Sequence, residues 1–230
     1  MPRPQPQRPP KDTEIKDAIV AQLRWDGRID DSRLRVSVRR GRVTLSGTTQ
    51  SYSARRAALL NAWSVLGVTD VVDGMKVRRT SRRGIDKDLQ ASVTGALVWN
   101  AEVDSSDLQV AVTNGSVTLT GSVDAYWKKI AAEELVSSLA GVTHIHNKLA
   151  VAPTQSIQDR AIAEAIVAAL DRSASAEAGA VNVKVSKGVV TLAGKVSTHA
   201  GLQAATEAAA RTTGVVDVTC HIKVVGERPG

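Results

Sequence analysis

A seven-residue segment bounded by glycines occurs three times in the chain, and it constrains the fold more than any other feature. It reads Gly41-Arg42-Val43-Thr44-Leu45-Ser46-Gly47, then Gly115-Ser116-Val117-Thr118-Leu119-Thr120-Gly121, then Gly188-Val189-Val190-Thr191-Leu192-Ala193-Gly194. The copies begin 74 and 73 residues apart. A β-branched run between glycines predicts a short strand with a tight turn at each end. Near-constant spacing makes it the mark of an internal repeat, so the 230 residues divide into three small units. Each unit buries only roughly 60 % of its unfolded-chain surface and gains from leaning on its neighbours.

The same elements precede and follow each segment. Ile15, Ile19 and Leu23 fall at i, i+4 and i+8, and Leu89/Val93/Leu97 and Ile162/Ile166/Leu170 repeat them. This is the apolar stripe of a helix. Asp12 and Glu14, Asp86 and Asp88, and Asp159 stand in the first turn, where the helix dipole favours them. Leu34/Val36/Val38, Leu108/Val110/Val112 and Val181/Val183/Val185 then alternate with polar residues, as in a strand covered on one side. The pairs Arg40-Gly41, Asn114-Gly115 and Lys187-Gly188 join the two strands, and Asn-Gly is the strongest signal for a two-residue hairpin. An Ala-rich second helix follows over roughly residues 51–66, 125–140 and 198–213, stopped by Gly67, Gly141 and Gly214. A third strand runs through Val71/Met75/Val77, Ile145/Leu149/Val151 and Val218/Ile222/Val224. The reading is α+β: three tandem α-β-β-α-β units at residues 11–79, 85–152 and 158–225. Each is expected to form a three-stranded sheet with two helices on one face. Residues 1–10, with five of the seven prolines, form a flexible Pro-rich tail.

Charge separates units that otherwise match. Residues 1–83 hold 18 Lys and Arg against 8 Asp and Glu, residues 84–152 hold 4 against 8, and residues 153–230 hold 8 against 7. The first unit is therefore basic, the second acidic and the third near neutral. Strand parity turns Arg35, Arg39 and Arg42 of unit one away from the helices, with Lys76 and Arg78 of its third strand. Arg33 belongs to the same face, and Arg79, Arg82 and Arg83 continue it into the linker. Such a face is either an ordinary solvated surface or a platform for anions: membrane headgroups, nucleic acid or an acidic partner, the second unit included. A second candidate is Tyr126-Trp127-Lys128-Lys129, where amphipathic rings beside lysines suit a membrane–water interface and burial of Trp127 is the competing reading. Trp25 and Trp99, at equivalent helix ends, read as structural plugs rather than ligand platforms.

The element order, the G-x-V-T-L-x-G hairpin and the closing G-V-x-x-V strand resemble the BON domain, the family named for bacterial OsmY and nodulation proteins. That resemblance spans about 210 residues in three copies. It implies a non-enzymatic role in osmotic or envelope stress, in a family of which some members bind anionic phospholipid.

Catalytic motifs are missing from the sequence. It has no phosphate-cradling loop, nucleophile elbow or dinucleotide fingerprint, so neither enzyme activity nor a cofactor is expected. His144 and His146 share one side of a strand without a third ligand and read as surface histidines. Cys220 reads as a small packing residue. No apolar run approaches the roughly 18 residues that span a bilayer. The amino-terminal segment lacks the hydrophobic stretch of a secretory signal, so the sequence as written implies the cytoplasm, and the periplasm if a leader has been removed. The expected partner is an anionic membrane surface or an envelope protein. Nucleic acid, packing between units and self-association are the alternatives.

Overall fold

A computed structural model describes residues 10–78, 85–100, 107–154, 157–173 and 180–225. The Pro-rich tail, apart from Pro10, and the linker arginines Arg79, Arg82 and Arg83 lie outside the described residues. Unit one runs α1 (Asp12–Trp25), β1 (Leu34–Arg39), β2 (Arg42–Thr49), α2 (Tyr52–Trp63) and β3 (Asp70–Val77). Unit two runs α3 (Ile85–Trp99), β4 (Gln109–Thr113), β5 (Ser116–Thr120), β6 (Ser122–Val123), α4 (Tyr126–Ser137), β7 (His144–Asn147) and β8 (Ala150–Val151). Unit three runs α5 (Asp159–Arg172), β9 (Val181–Ser186), β10 (Val189–Val196), α6 (His199–Ala210) and β11 (Asp217–Val224). The fold is thus the expected α+β repeat.

In each unit the middle strand pairs antiparallel with the first and parallel with the third, giving a mixed sheet. The second helix makes the crossover that a parallel pair requires. Arg40 and Gly41 have φ of 53° and 76°, and the pairs Asn114-Gly115 and Lys187-Gly188 repeat these values within a degree. Two successive positive φ angles define the type I′ hairpin expected from the sequence. The second helices end at Trp63, Ser137 and Ala210, three residues short of the sequence reading. Val65 N–H bonds Ala62 and Val68 N–H bonds Val65, so a tightened turn rather than helix leads to Gly67.

The first-turn aspartates do more than complement the dipole. Asp12 Oδ2 and Oδ1 accept from the Arg40 and Gly41 amides at 2.7 and 3.0 Å. Asp86 does the same for Asn114 and Gly115, and Asp159 for Lys187 and Gly188. One carboxylate therefore ties the start of each first helix to the turn of its hairpin. These two amide bonds hold the Asp12 carboxyl below the usual aspartate range.

Three separate cores result, each built from the apolar stripe of its first helix, the inward side of its sheet and its second helix. Small residues dominate the buried side of that second helix: Ala54, Ala57, Ala58 and Ala62 in unit one, Ala205, Ala209 and Ala210 in unit three. They let it lie close to strands lined by Val and Leu. In a chain without Phe, that close approach fills the interior.

Candidate functional site

The basic face of unit one takes its layout from strand register. Leu34, Val36 and Val38 pack against the core while Arg35, Ser37 and Arg39 are exposed. Across the sheet Arg39 stands beside Arg42, and Arg42 beside Asp70, whose carboxylate binds the Arg42 Nε at 2.7 Å. The next row is neutral, Ser37, Thr44 and Val72. Arg35 lies in the row of Ser46 and Gly74, followed by Thr48 and Lys76. Arg78 continues past β3 with its amide bonded to the Thr49 carbonyl at 2.8 Å, beside Asp30 and Arg33, which pair at 3.4 Å. Four residues of strand, about 13 Å, separate Arg39 from Arg35. The five predicted cations therefore form two clusters with a neutral band between them, and one of the five already holds a carboxylate.

The tetrad Tyr126-Trp127-Lys128-Lys129 does not form a single surface. Consecutive helical residues point 100° apart, so four of them encircle the helix. Tyr126 is half-buried and packs against the core of unit three. Trp127 is half-buried too. Lys128 Nζ bonds Asp124 Oδ1 at 2.7 Å, with its side chain 20 % exposed, and sits 5.7 Å from the centre of the Trp127 ring. Lys129 lends its carbonyl to the Asn147 amide at 2.8 Å. Half-buried, Trp127 lines a cleft together with Ile130, Ala131 and Glu134.

Trp25 and Trp99 are 88 % and 89 % exposed, and the plug reading is corrected. The reason lies in helix geometry. The buried stripe of α1 ends at Leu23 and that of α3 at Leu97, and two further residues turn the helix by 200°. Each tryptophan thus projects from the side opposite its core. Cys220 is exposed as well, not packed, with its Sγ 3.9 Å from Thr206 Oγ1. Its counterparts Asp73 and Asn147 tether the third strand to the second helix, through Arg55 at 2.7 Å and through the Lys129 carbonyl. His144 and His146 stand 5.1 Å apart, ring centre to ring centre. Among the described residues no cluster of three His, Cys, Asp or Glu could hold a metal. Nor is any described helix long and apolar enough to cross a membrane.

The BON domain family model matches the chain three times, at residues 11–79, 85–153 and 158–226. The chain belongs to the BON domain family. Among curated proteins, this BON chain is 28 % identical over 143 residues to Osmotically-inducible protein Y of Escherichia coli (strain K12), covering 60 % of this chain and 71 % of that one. It is 25 % identical over 138 residues to a 21 kDa hemolysin of Actinobacillus pleuropneumoniae, covering 58 % and 71 %. A solved structure of CdsD, a structural protein of the Type III secretion system of Chlamydia trachomatis, aligns over 92 % of each chain at 14 % identity and a TM-score of 0.28.

Proposed function

We propose that this BON protein is a non-enzymatic, stress-associated envelope protein that binds anionic lipid surfaces. The observation that carries the proposal is the pair of tryptophans at equivalent helix ends, each nearly nine-tenths exposed. An indole left in water on a folded domain loses hydrophobic free energy that an interface restores, and its N–H keeps one edge at home among headgroups. The basic face of unit one supplies longer-range attraction at about 1 kcal/mol per cation near an anionic surface. The names of its relatives, an osmotically inducible protein and a hemolysin, support a role at the envelope. Nucleic acid is the lesser reading. Trp99 stands in the unit with twice as many acidic as basic residues, and the arginine-rich face of unit one presents no aromatic on which bases could stack.

The test is co-sedimentation with vesicles of neutral and of anionic lipid, beside a gel-shift assay with DNA and RNA. Burying half of one exposed indole, about 100 Å², contributes roughly 2–3 kcal/mol. Trp25→Ser or Trp99→Ser should therefore weaken vesicle binding roughly 30- to 150-fold, including at high salt where surface charges are screened. Arg35→Glu with Arg39→Glu should weaken it mainly at low salt. Unchanged vesicle binding in both sets, or a gel shift without vesicle binding, would reject the proposal.

A further inference from the structure

Each second helix opens with a ring-bearing residue at the same repeat position: Tyr52 in α2, Tyr126 in α4 and His199 in α6. All three reach into another unit. Tyr52 of unit one packs against the core of unit two, its ring meeting that of His144 edge-on with centres 6.4 Å apart. Tyr126 of unit two packs against the core of unit three, where burial, together with Asp217 beside it, raises the pKa of its hydroxyl. His199 of unit three stacks on Trp63 of unit one, with centres 4.5 Å apart and planes 15° from parallel. One goes to two, two to three, and three back to one.

We infer that the three units close into a ring about a pseudo-threefold axis, each docked on the next by the first residue of its second helix. A head-to-tail contact repeated between like units either propagates as a filament or closes, depending on the rotation per step. Here the third step lands on the first unit, so it closes. An independent observation places the axis. One helical turn beyond the docking residues stand Arg56, Ile130 and Gln203, again at one repeat position, and all three line a single cleft of about 740 Å³. Residues of three separate units at one repeat position meet in one cleft only if an axis runs through it.

The seams are alike in place and different in chemistry. Between units one and two, Arg56 reaches Glu134 and Ser137, each at 3.4 Å. Between units three and one, uncharged residues surround the stack, among them Leu60, Asn61, Gln203 and Val224. Between units two and three, Tyr126 stands beside a carboxylate, Asp217. A unit moved to the wrong neighbour would leave an arginine without its glutamate or a carboxylate against an apolar stack. The order of units is thereby specified by mismatch as much as by fit.

Small-angle X-ray scattering of the full chain near neutral pH tests the ring. A compact chain of this length has a radius of gyration of about 17 Å, whereas three folded units in a row give on the order of 25 Å. The expected result is the compact value for the native protein, and an increase of several ångströms for Tyr126→Ser with His199→Ser, at unchanged helical circular dichroism. A native value near that of the extended row overturns the ring. So does a folded double variant that stays as compact as the native protein. If the double variant loses its helical signal, the native value decides alone.

Discussion

Replacing Gly47 by Ala should strongly destabilise unit one without touching any apolar contact. Gly47 has φ of +119°, outside every well that an L-residue with a Cβ occupies comfortably, at a strain of about 1–3 kcal/mol. It also faces Leu34 in the β1–β2 ladder, and a Cβ on it would fall inside the van der Waals shell of the Arg33 carbonyl oxygen, a backbone atom. Relief requires the start of β1 to swing away, losing pairing bonds at about 1 kcal/mol each. The sum, about 2–5 kcal/mol, is comparable with the whole stability of a unit of about 70 residues, roughly 4–10 kcal/mol. Gly95, inside α3, is the internal control: a Cβ there meets nothing within 4 Å, and Gly95→Ala should stabilise unit two by about 1 kcal/mol. Urea unfolding followed by circular dichroism on the full chain, with hydrogen exchange to assign the transition to a unit, reads both. A loss below 1 kcal/mol for Gly47→Ala, or a loss of stability for Gly95→Ala, would refute the reasoning.

Two further predictions concern ionisable groups. Burial in the seam holds the His199 pKa below the ordinary histidine value of 6.5, and no other ionisable side chain lines that cleft among the described residues. The closed seam therefore takes the neutral imidazole: its full strength is present above about pH 6.5 and weakens, by at most about tenfold per pH unit, as pH falls toward the lowered value. Scattering at pH 7.5 and 5.5 should show acid loosening in the native chain and none in His199→Phe; equal behaviour of the two would exclude His199 as the cause. In the hairpin clasp, Asp159→Asn leaves one oxygen and turns an amide N–H₂ toward a backbone donor, so unit three should lose on the order of 1–3 kcal/mol in thermal unfolding. An unshifted transition would mean that solvent replaces the clasp at no cost.

The hairpins were legible because local chemistry dictates them: Asn114-Gly115 can adopt two positive φ angles wherever the rest of the chain goes. The helix stripes were legible for the same reason of period. The exposure of Trp25 and Trp99 was within reach, since 200° from Leu23 and Leu97 follows from counting residues. It was missed because a rare large ring invites the assumption of burial. The aspartate clasp left a trace too, an aspartate 28 residues before each hairpin, but the spacing carries no hint of what the carboxylate binds. Tyr126 could not be placed from sequence at all. Its partner is Asp217 in a different unit, and no local pattern connects two residues whose nearness depends on how folded units dock.

Ring closure changes what the exposed tryptophans can do. If the units close about a threefold axis, residues at one repeat position lie at one height, and Trp25, Trp99 and Arg172 share a rim. Two indoles and a guanidinium on one rim of a rigid body can meet a flat surface together, and the second contact then forms at an effective concentration set by the first. In a flexible string of units the same residues would pay orientation entropy at each contact. This also accounts for the differences among the copies. The hairpins, stripes and clasps are held constant because each unit must fold. Among the positions that differ are the docking residues, Tyr52, Tyr126 and His199, and the positions of Trp25, Trp99 and Arg172, two of which carry Trp. The double variant Tyr126→Ser with His199→Ser separates the two ideas, since it opens the ring while leaving both tryptophans on their helices. Weaker vesicle binding in that variant locates the function in the assembled rim, and undiminished binding locates it in the individual units.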